Sequence, residues 1–305
     1  MDALHPDENM RPKSFPLTPM NTMGTLTRDG TQRSGGSGAG TDHIVSITAL
    51  EKAYEANGRK LQIFDGLSFG IERGSFISIV GPSGCGKSTL LKLMAGLEPH
   101  SAGSIVFNGK SVRAPSPGMI YVFQQYAKSI LPWRTVLQNV DFGLQSRKRT
   151  AKAEARERCM EYLRLVGLEG YEHYYPYQLS GGMQQRVVIA RALICEPEML
   201  LMDEPFSAVD AMTRALLQEL VLTIWSKLPI TIVFVTHDVD EATFLSTRIL
   251  ALKRAPGGIG DDIDVDLPRP RDQITTRDEP RFHEIRRTLF RSIFSQEKDT
   301  SEARS

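Results

Sequence analysis

Nine consecutive residues carry the clearest chemistry in this chain: Gly81-Pro82-Ser83-Gly84-Cys85-Gly86-Lys87-Ser88-Thr89. They match the pattern G-x-x-x-x-G-K-[ST] without a mismatch. Glycines at these places let backbone N–H groups turn inward, and a helix opening behind them adds partial positive charge. Lys87 then reaches the outer phosphates of a nucleotide, and Ser88 supplies the hydroxyl expected on Mg²⁺. A plain glycine turn capping an ordinary helix does not account for two fixed glycines followed by a Lys-Ser pair. The loop from Gly81 to Thr89 is read as a cradle for a nucleoside triphosphate. Within it, Cys85 leaves two readings open. It is a small spacer, or it is an exposed thiol whose pKa is pulled down by the loop N–H groups, Lys87 and the helix N-terminus.

A second chemical element is Met199-Leu200-Leu201-Met202-Asp203-Glu204, an apolar strand ending in two carboxylates. At such a strand end Asp203 can hold a Mg²⁺ shell through water, leaving Glu204 to polarise an attacking water. Alone, an apolar run ending in Asp-Glu is weak; it gains force from lying downstream of a phosphate loop. A third element is Leu179-Ser180-Gly181-Gly182-Met183-Gln184-Gln185-Arg186. Ser180 and the two glycines open a helix running through Arg191, so a second helix N-terminus is exposed to an anion.

At this third element the chain resembles the ATP-binding cassette (ABC) family, whose signature is Leu-Ser-Gly-Gly-Gln; Met183 replaces the usual Gln. The resemblance covers roughly residues 43–290 and extends to further motifs in order. Phe123-Gln124 matches the glutamine loop, whose side chain contacts Mg²⁺ and the lytic water, with Gln125 a one-residue alternative. Ser207-Ala208-Val209-Asp210 resembles the loop Ser-Ala-Leu-Asp. Val235-Thr236-His237-Asp238 places His237 as the switch histidine on the γ-phosphate. Tyr54 falls where the family stacks an aromatic ring on adenine, a core or surface tyrosine being the alternative.

The resemblance implies an ATPase with ATP and Mg²⁺ as its cofactors. Glu204, His237, Gln124 and Lys87 are its catalytic set, and Ser88, Gln124 and Asp203 its metal set. Tyr54 and the phosphate loop of one copy would face Ser180, Gly181 and Gly182 of a second copy. The implied fold is α/β: a P-loop cassette with a mixed core sheet, an antiparallel β subdomain and a helical subdomain, about residues 125–185, carrying the signature.

Subfamily features are similar to the importer ATPases for nitrate, sulfonates and taurine. They are Leu131-Pro132-Trp133-Arg134-Thr135-Val136 with Asn139-Val140, the run His237-Asp238-Val239-Asp240-Glu241-Ala242, and the tail Asp266-Leu267-Pro268-Arg269-Pro270-Arg271-Asp272. Two positions depart from that pattern: Lys253-Arg254-Ala255-Pro256 replaces Ser-x-Arg-Pro, and Thr247 stands where an Asp often precedes the Arg. The implied partners are transmembrane permease subunits and, indirectly, a solute-binding protein for a small anion. The alternative is a soluble ABC-type ATPase with a non-transport role; the second cassette, zinc motifs and coiled-coil arms common there are missing from the sequence. For Trp133 a core position is the ordinary alternative, and for the tail a Pro-rich surface loop.

The elements that must hold these residues are legible from periodicity. Phe76–Val80 reads as a buried strand into the phosphate loop, and Lys87–Gly96 as the helix behind it. His43–Ile47, Leu61–Phe64 and Ser104–Phe107 read as strands, the last ended by an Asn108-Gly109 turn. Ala151–Val166, Arg214–Leu228 and Arg281–Ile293 read as helices. Met199–Met202 and Ile230–Val235 are uninterrupted apolar runs of the kind found in parallel strands buried on both faces. Residues 1–42, rich in Pro, Thr, Ser and Gly, are expected to be a disordered tail. An ATPase domain is expected over 43–255, and an extension with one helix over 256–305.

Composition bounds the rest. A formal charge of +1 over 305 residues argues against broad capture of nucleic acid. No stretch approaches the roughly 18 apolar residues of a membrane span. The N-terminus lacks an apolar signal core, so the chain is expected in the cytoplasm, peripheral on the inner face of the cell membrane. Cys85, Cys159 and Cys195 lack metal-ligand spacing and fit a reducing compartment.

Overall fold

Long apolar runs need a sheet covered on both faces, and the chain supplies one after first building a smaller sheet. The computed structural model describes residues 43–56, 59–145 and 151–302; the expected tail over 1–42 lies outside them. All described residues belong to one unit, Thr41–Ser305. Strands β1 (His43–Ala56) and β2 (Arg59–Glu72) pair antiparallel. Strand β3 (Phe76–Val80) leads into helix α1 (Lys87–Met94). Strands β4 (Ala102–Phe107) and β5 (Lys110–Ser111) turn about Asn108 and Gly109, both at positive φ, and complete an antiparallel sheet ordered β2-β1-β4-β5.

Strand β6 (Met119–Val122) is followed by helices α2 (Tyr126–Ser129), α3 (Val136–Gln145), α4 (Lys152–Leu165) and α5 (Gly181–Leu193). Then come β7 (Met199–Asp203), α6 (Ala211–Lys227), β8 (Thr231–Val235), α7 (Val239–Leu245) and β9 (Arg248–Leu252). Strand β10 (Ile259–Asp264) and helices α8 (Thr275–Asp278) and α9 (Pro280–Glu302) end the described chain. The core sheet runs β10-β9-β3-β8-β7-β6. Its pairs are parallel except β10 with β9, so the sheet is mixed, as expected.

Alternation across β3 explains how one sheet serves two cores. Ile77 and Ile79 join Leu201, Val233 and Val235 under α1 and the antiparallel sheet. Phe76 and Val80 join Leu200, Met202, Ile232 and Phe234 beneath α5, α6 and α7. Successive side chains of a strand point to opposite faces, so a strand buried on both is largely apolar, and the polar exception in β3, buried Ser78, is hydrogen-bonded by Ser246.

The expectation for the C-terminal segment is revised. The chain beyond residue 255 is not a one-helix extension: β10 closes the edge of the core sheet, and two helices follow it. An open edge strand invites foreign pairing, and β10 covers that of β9, tied by a two-pronged Arg248–Asp262 ion pair. The tail Asp266–Asp272 is a mostly exposed loop, anchored at two points. Leu267 is buried, and the buried Arg271 guanidinium donates to the carbonyls of Thr243, Phe244 and Ser246 at the end of α7. Those carbonyls lack intrahelical partners, so a buried cation meets an existing need. Trp133, finally, is not core: it is 72% exposed.

Candidate nucleotide-binding and hydrolysis site

Ligands of open parallel sheets sit beyond the C-terminal ends of the strands, and the motif residues gather there. The phosphate loop follows β3, Gln124 follows β6, Asp203 ends β7 with Glu204 next, and His237 follows β8. The loop needs its glycine at position 86, where φ is +100°. A Cβ there would lie 2.6 Å from Ile63 and 2.7 Å from Phe64, so β2 presses directly on the loop. Lys87 is buried, and its ammonium donates to the carbonyls of Gly81 (2.8 Å) and Pro82 (3.1 Å) inside the curl of the loop.

Beside the lysine, Ser88 Oγ donates to Asp203 Oδ1 at 2.9 Å. Tyr121 on β6 donates its phenol O–H to the other carboxylate oxygen, Oδ2, at 2.7 Å. Burial, followed by the Asp203 charge, pushes the Tyr121 phenol well above its ordinary range, so it remains a donor. Sequence reasoning missed Tyr121, because a tyrosine in a short apolar strand reads as core. The hydroxyl and carboxylate gathered here are hard oxygen donors. They suit Mg²⁺, which takes one or two carboxylates together with phosphate oxygens. No group of three or more His, Cys, Asp or Glu able to hold a metal occurs among the described residues. An ion at Ser88 and Asp203 would therefore need the phosphates as further ligands.

Glu204 differs sharply from its neighbour. Its backbone adopts φ +41°, a left-handed conformation that costs a non-glycine residue about 1–3 kcal/mol and clusters at functional sites. Its N–H is fixed to Val235 O at 3.0 Å. Gln124 Nε2 donates to Glu204 Oε2 at 3.0 Å, while the carbonyl of Gln125 accepts from Lys128 N. Of the two candidate glutamines, Gln124 is the one whose side chain meets Glu204. His237 Nδ1 lies 3.3 Å from the same Glu204 oxygen, with the histidine side chain largely exposed. One carboxylate oxygen between an amide and an imidazole is an arrangement able to orient a water.

Ser180 caps α5, its hydroxyl accepting from Met183 N at 3.3 Å. Gly182 lets α5 approach α6: a Cβ would stand 2.4 Å from Thr213 Cγ2. Met183 packs against the core, which accommodates an apolar residue in place of the usual Gln. The structure does not bring Ser180, Gly181 and Gly182 into hydrogen-bond contact with the phosphate loop of the same chain. Tyr54 is on β1, partly exposed, with its hydroxyl donating to Glu98 and the Lys52 ammonium 4.5 Å above its ring.

Cys85 is corrected. Its side chain is fully buried, and burial pushes the thiol pKa up, outweighing the opposing pull of Lys87. The sulfur lies against Gly81, and its burial outweighs both the Lys87 charge and the backbone N–H groups of Cys85 and Lys87 that favour a thiolate, so the exposed-thiolate reading fails and the spacer reading stands. Cys159 and Cys195 are also buried, Cys195 just past the end of α5.

A groove opens between the core sheet and the helical lobe, lined by Ile120, Tyr121, Phe123, Phe142, Val188 and Arg191 among others. At its side the loop Leu131–Thr135 is pinned from beneath by fully buried Asn139. The Asn139 amide donates to Leu131 O, Arg134 O and Thr135 O, and its carbonyl accepts from Leu131 N. Arg134 lies over the Phe142 ring.

With this geometry described, three comparisons are informative. The family model for the ABC transporter matches residues 64–207. An aliphatic sulfonates import ATP-binding protein of Bacillus cereus is 41% identical over 249 residues, 82% of this chain and 95% of that one. A nitrate import ATP-binding protein of Synechococcus elongatus is 45% identical over 262 residues, 84% of this chain and 38% of that longer one. A solved dimeric post-hydrolysis state of an ATP-binding cassette, bound to ADP and Pi, is 31% identical. It has a TM-score of 0.65 and covers 73% of this chain and 99% of that one.

Proposed function

Because the chain belongs to the ATP-binding proteins of ABC transporters, we propose that it drives uptake of a small anion, a sulfonate, nitrate or relative, through separate permease subunits. It is an ATPase. In the proposed mechanism the loop amides and Lys87 hold the β- and γ-phosphates, and Tyr54 stacks on the base. Glu204, held by Gln124 and His237, orients water for in-line attack on the γ-phosphate. Bound Mg²⁺ would neutralise charge on the phosphate oxygens, held by Ser88 and Asp203, with Gln124 nearby. Catalysis of this kind is positioning and charge stabilisation rather than covalent chemistry. Ser180, Gly181 and Gly182 complete the site of a second copy, an arrangement supported by the exposure of Ser180 and Gly181 at the start of α5. ATP then favours the closed pair and hydrolysis the open one.

Trp133 carries the transport reading. A large aromatic held outward by a buried asparagine, beside an apolar groove, fits a protein-docking surface better than a packing defect. No helix of the described residues is long and apolar enough to cross a membrane, so the channel would be other subunits, fed by a solute-binding protein outside. The segment from Gln124 to Val140 joins the groove to Glu204 and would carry the motion between them. In the assembled transporter, Arg134→Glu should keep basal ATPase and abolish its coupling to uptake. Equal loss of both would make the loop a folding element and remove this support.

A further inference from the structure

We propose that Tyr121 is a positioning residue for Asp203, fixing the rotation of its carboxylate so that one oxygen is kept for Ser88 and the metal's water shell. The inference rests on the reading of Asp203 as a Mg²⁺-side carboxylate. Strand β6 lies parallel to β7, with Tyr121 opposite Leu201, which puts the tyrosine one strand away from Asp203. Its O–H reaches Oδ2 at 2.7 Å while Ser88 reaches Oδ1 at 2.9 Å. Asp203 is buried, so an oxygen deprived of its donor could not readily turn to water instead. The carboxylate would rotate or draw on Ser88, and either change disturbs the oxygen set offered to the ion. Partners one step removed from a metal usually matter in this way, at about 10–100-fold in affinity.

Nothing in the phosphate-loop or Asp-Glu patterns requires a tyrosine at this place; the strand pairing alone supplies it. On the same face of the strand end its ring lies 4.6 Å from that of Phe123.

The test is a binding measurement on the full chain. Fluorescence of N-methylanthraniloyl-ATP would be titrated with and without Mg²⁺ for the wild type, Tyr121→Phe and Asp203→Asn. Tyr121→Phe removes only the hydroxyl. It should lower the Mg²⁺-dependent gain in nucleotide affinity about tenfold while leaving metal-free affinity unchanged. If Asp203→Asn abolishes the gain but Tyr121→Phe keeps it within about twofold, the positioning role is wrong, by the same scale of effect. Equal loss of affinity with and without Mg²⁺ in Tyr121→Phe would also overturn it, as a packing effect. If Asp203→Asn leaves the gain intact, the metal reading itself falls and takes this inference with it.

Discussion

Helices α1 and α5 each begin at glycines, yet their N-termini stand in different company. The start of α1 is enclosed by strand ends of its own chain: Lys87 is buried, Ser88 reaches Asp203, and β2 presses on Gly86. The start of α5 is capped by Ser180 and braced at Gly182 by Thr213, but Ser180 and Gly181 face outward. One helix has its chemistry assembled around it, while the other offers chemistry to something else. Such an asymmetry is expected when identical chains complete one another across a two-fold axis. Each copy then contributes a finished half-site and an unfinished one.

The largest effect should come from breaking the finished half. Glu204→Gln keeps the size of the side chain and removes the charge between Gln124 and His237. Turnover is expected to fall at least ~100-fold with nucleotide binding retained, a loss typical of removing a general base. Near-normal hydrolysis would remove Glu204 from the mechanism. On the helical side, Asn139→Ala strands several buried polar groups of the Leu131–Thr135 loop. A stability loss of about 1–3 kcal/mol is expected, read from the urea midpoint. Basal ATPase should largely remain, because the loop is away from Glu204; a fall in turnover as large as that for Glu204→Gln would erase the distinction between the two regions. The smallest effect concerns Cys85. Buried beneath the loop with a raised pKa, it should label slowly with a maleimide, as slowly as Cys159 and Cys195. Rapid labelling of Cys85, suppressed by Mg-ATP, would mean the loop is far less tightly packed than its glycines imply.

The strand-end half was the more legible in sequence, and the reason is physical. A cradle built from backbone amides demands glycines at fixed positions, and parallel strands buried on both faces must be largely apolar, so both leave strong marks. Helix α3 left a weak mark, because two of its buried positions are Asn139 and Gly143 rather than apolar residues. Strand β10 was hidden for the opposite reason: as an edge strand it alternates Ile259 and Ile263 with acidic residues and pairs on one side only. Tyr121 could not be singled out, since its value depends on a neighbouring strand distant in sequence. The thiolate alternative for Cys85 counted nearby positive charge and omitted burial, which is the larger effect.

The need for a second copy is tested most directly by the mass of the Glu204→Gln protein in solution. Slow turnover should trap the closed state, so sedimentation is expected to show a dimer with Mg-ATP and a monomer without it. Adding Ser180→Arg to the same chain should abolish that dimer while leaving fluorescent ATP binding intact, because the phosphate loop is untouched. A protein that stays monomeric with saturating Mg-ATP, or a dimer indifferent to Ser180→Arg, would contradict the division of each site between two copies.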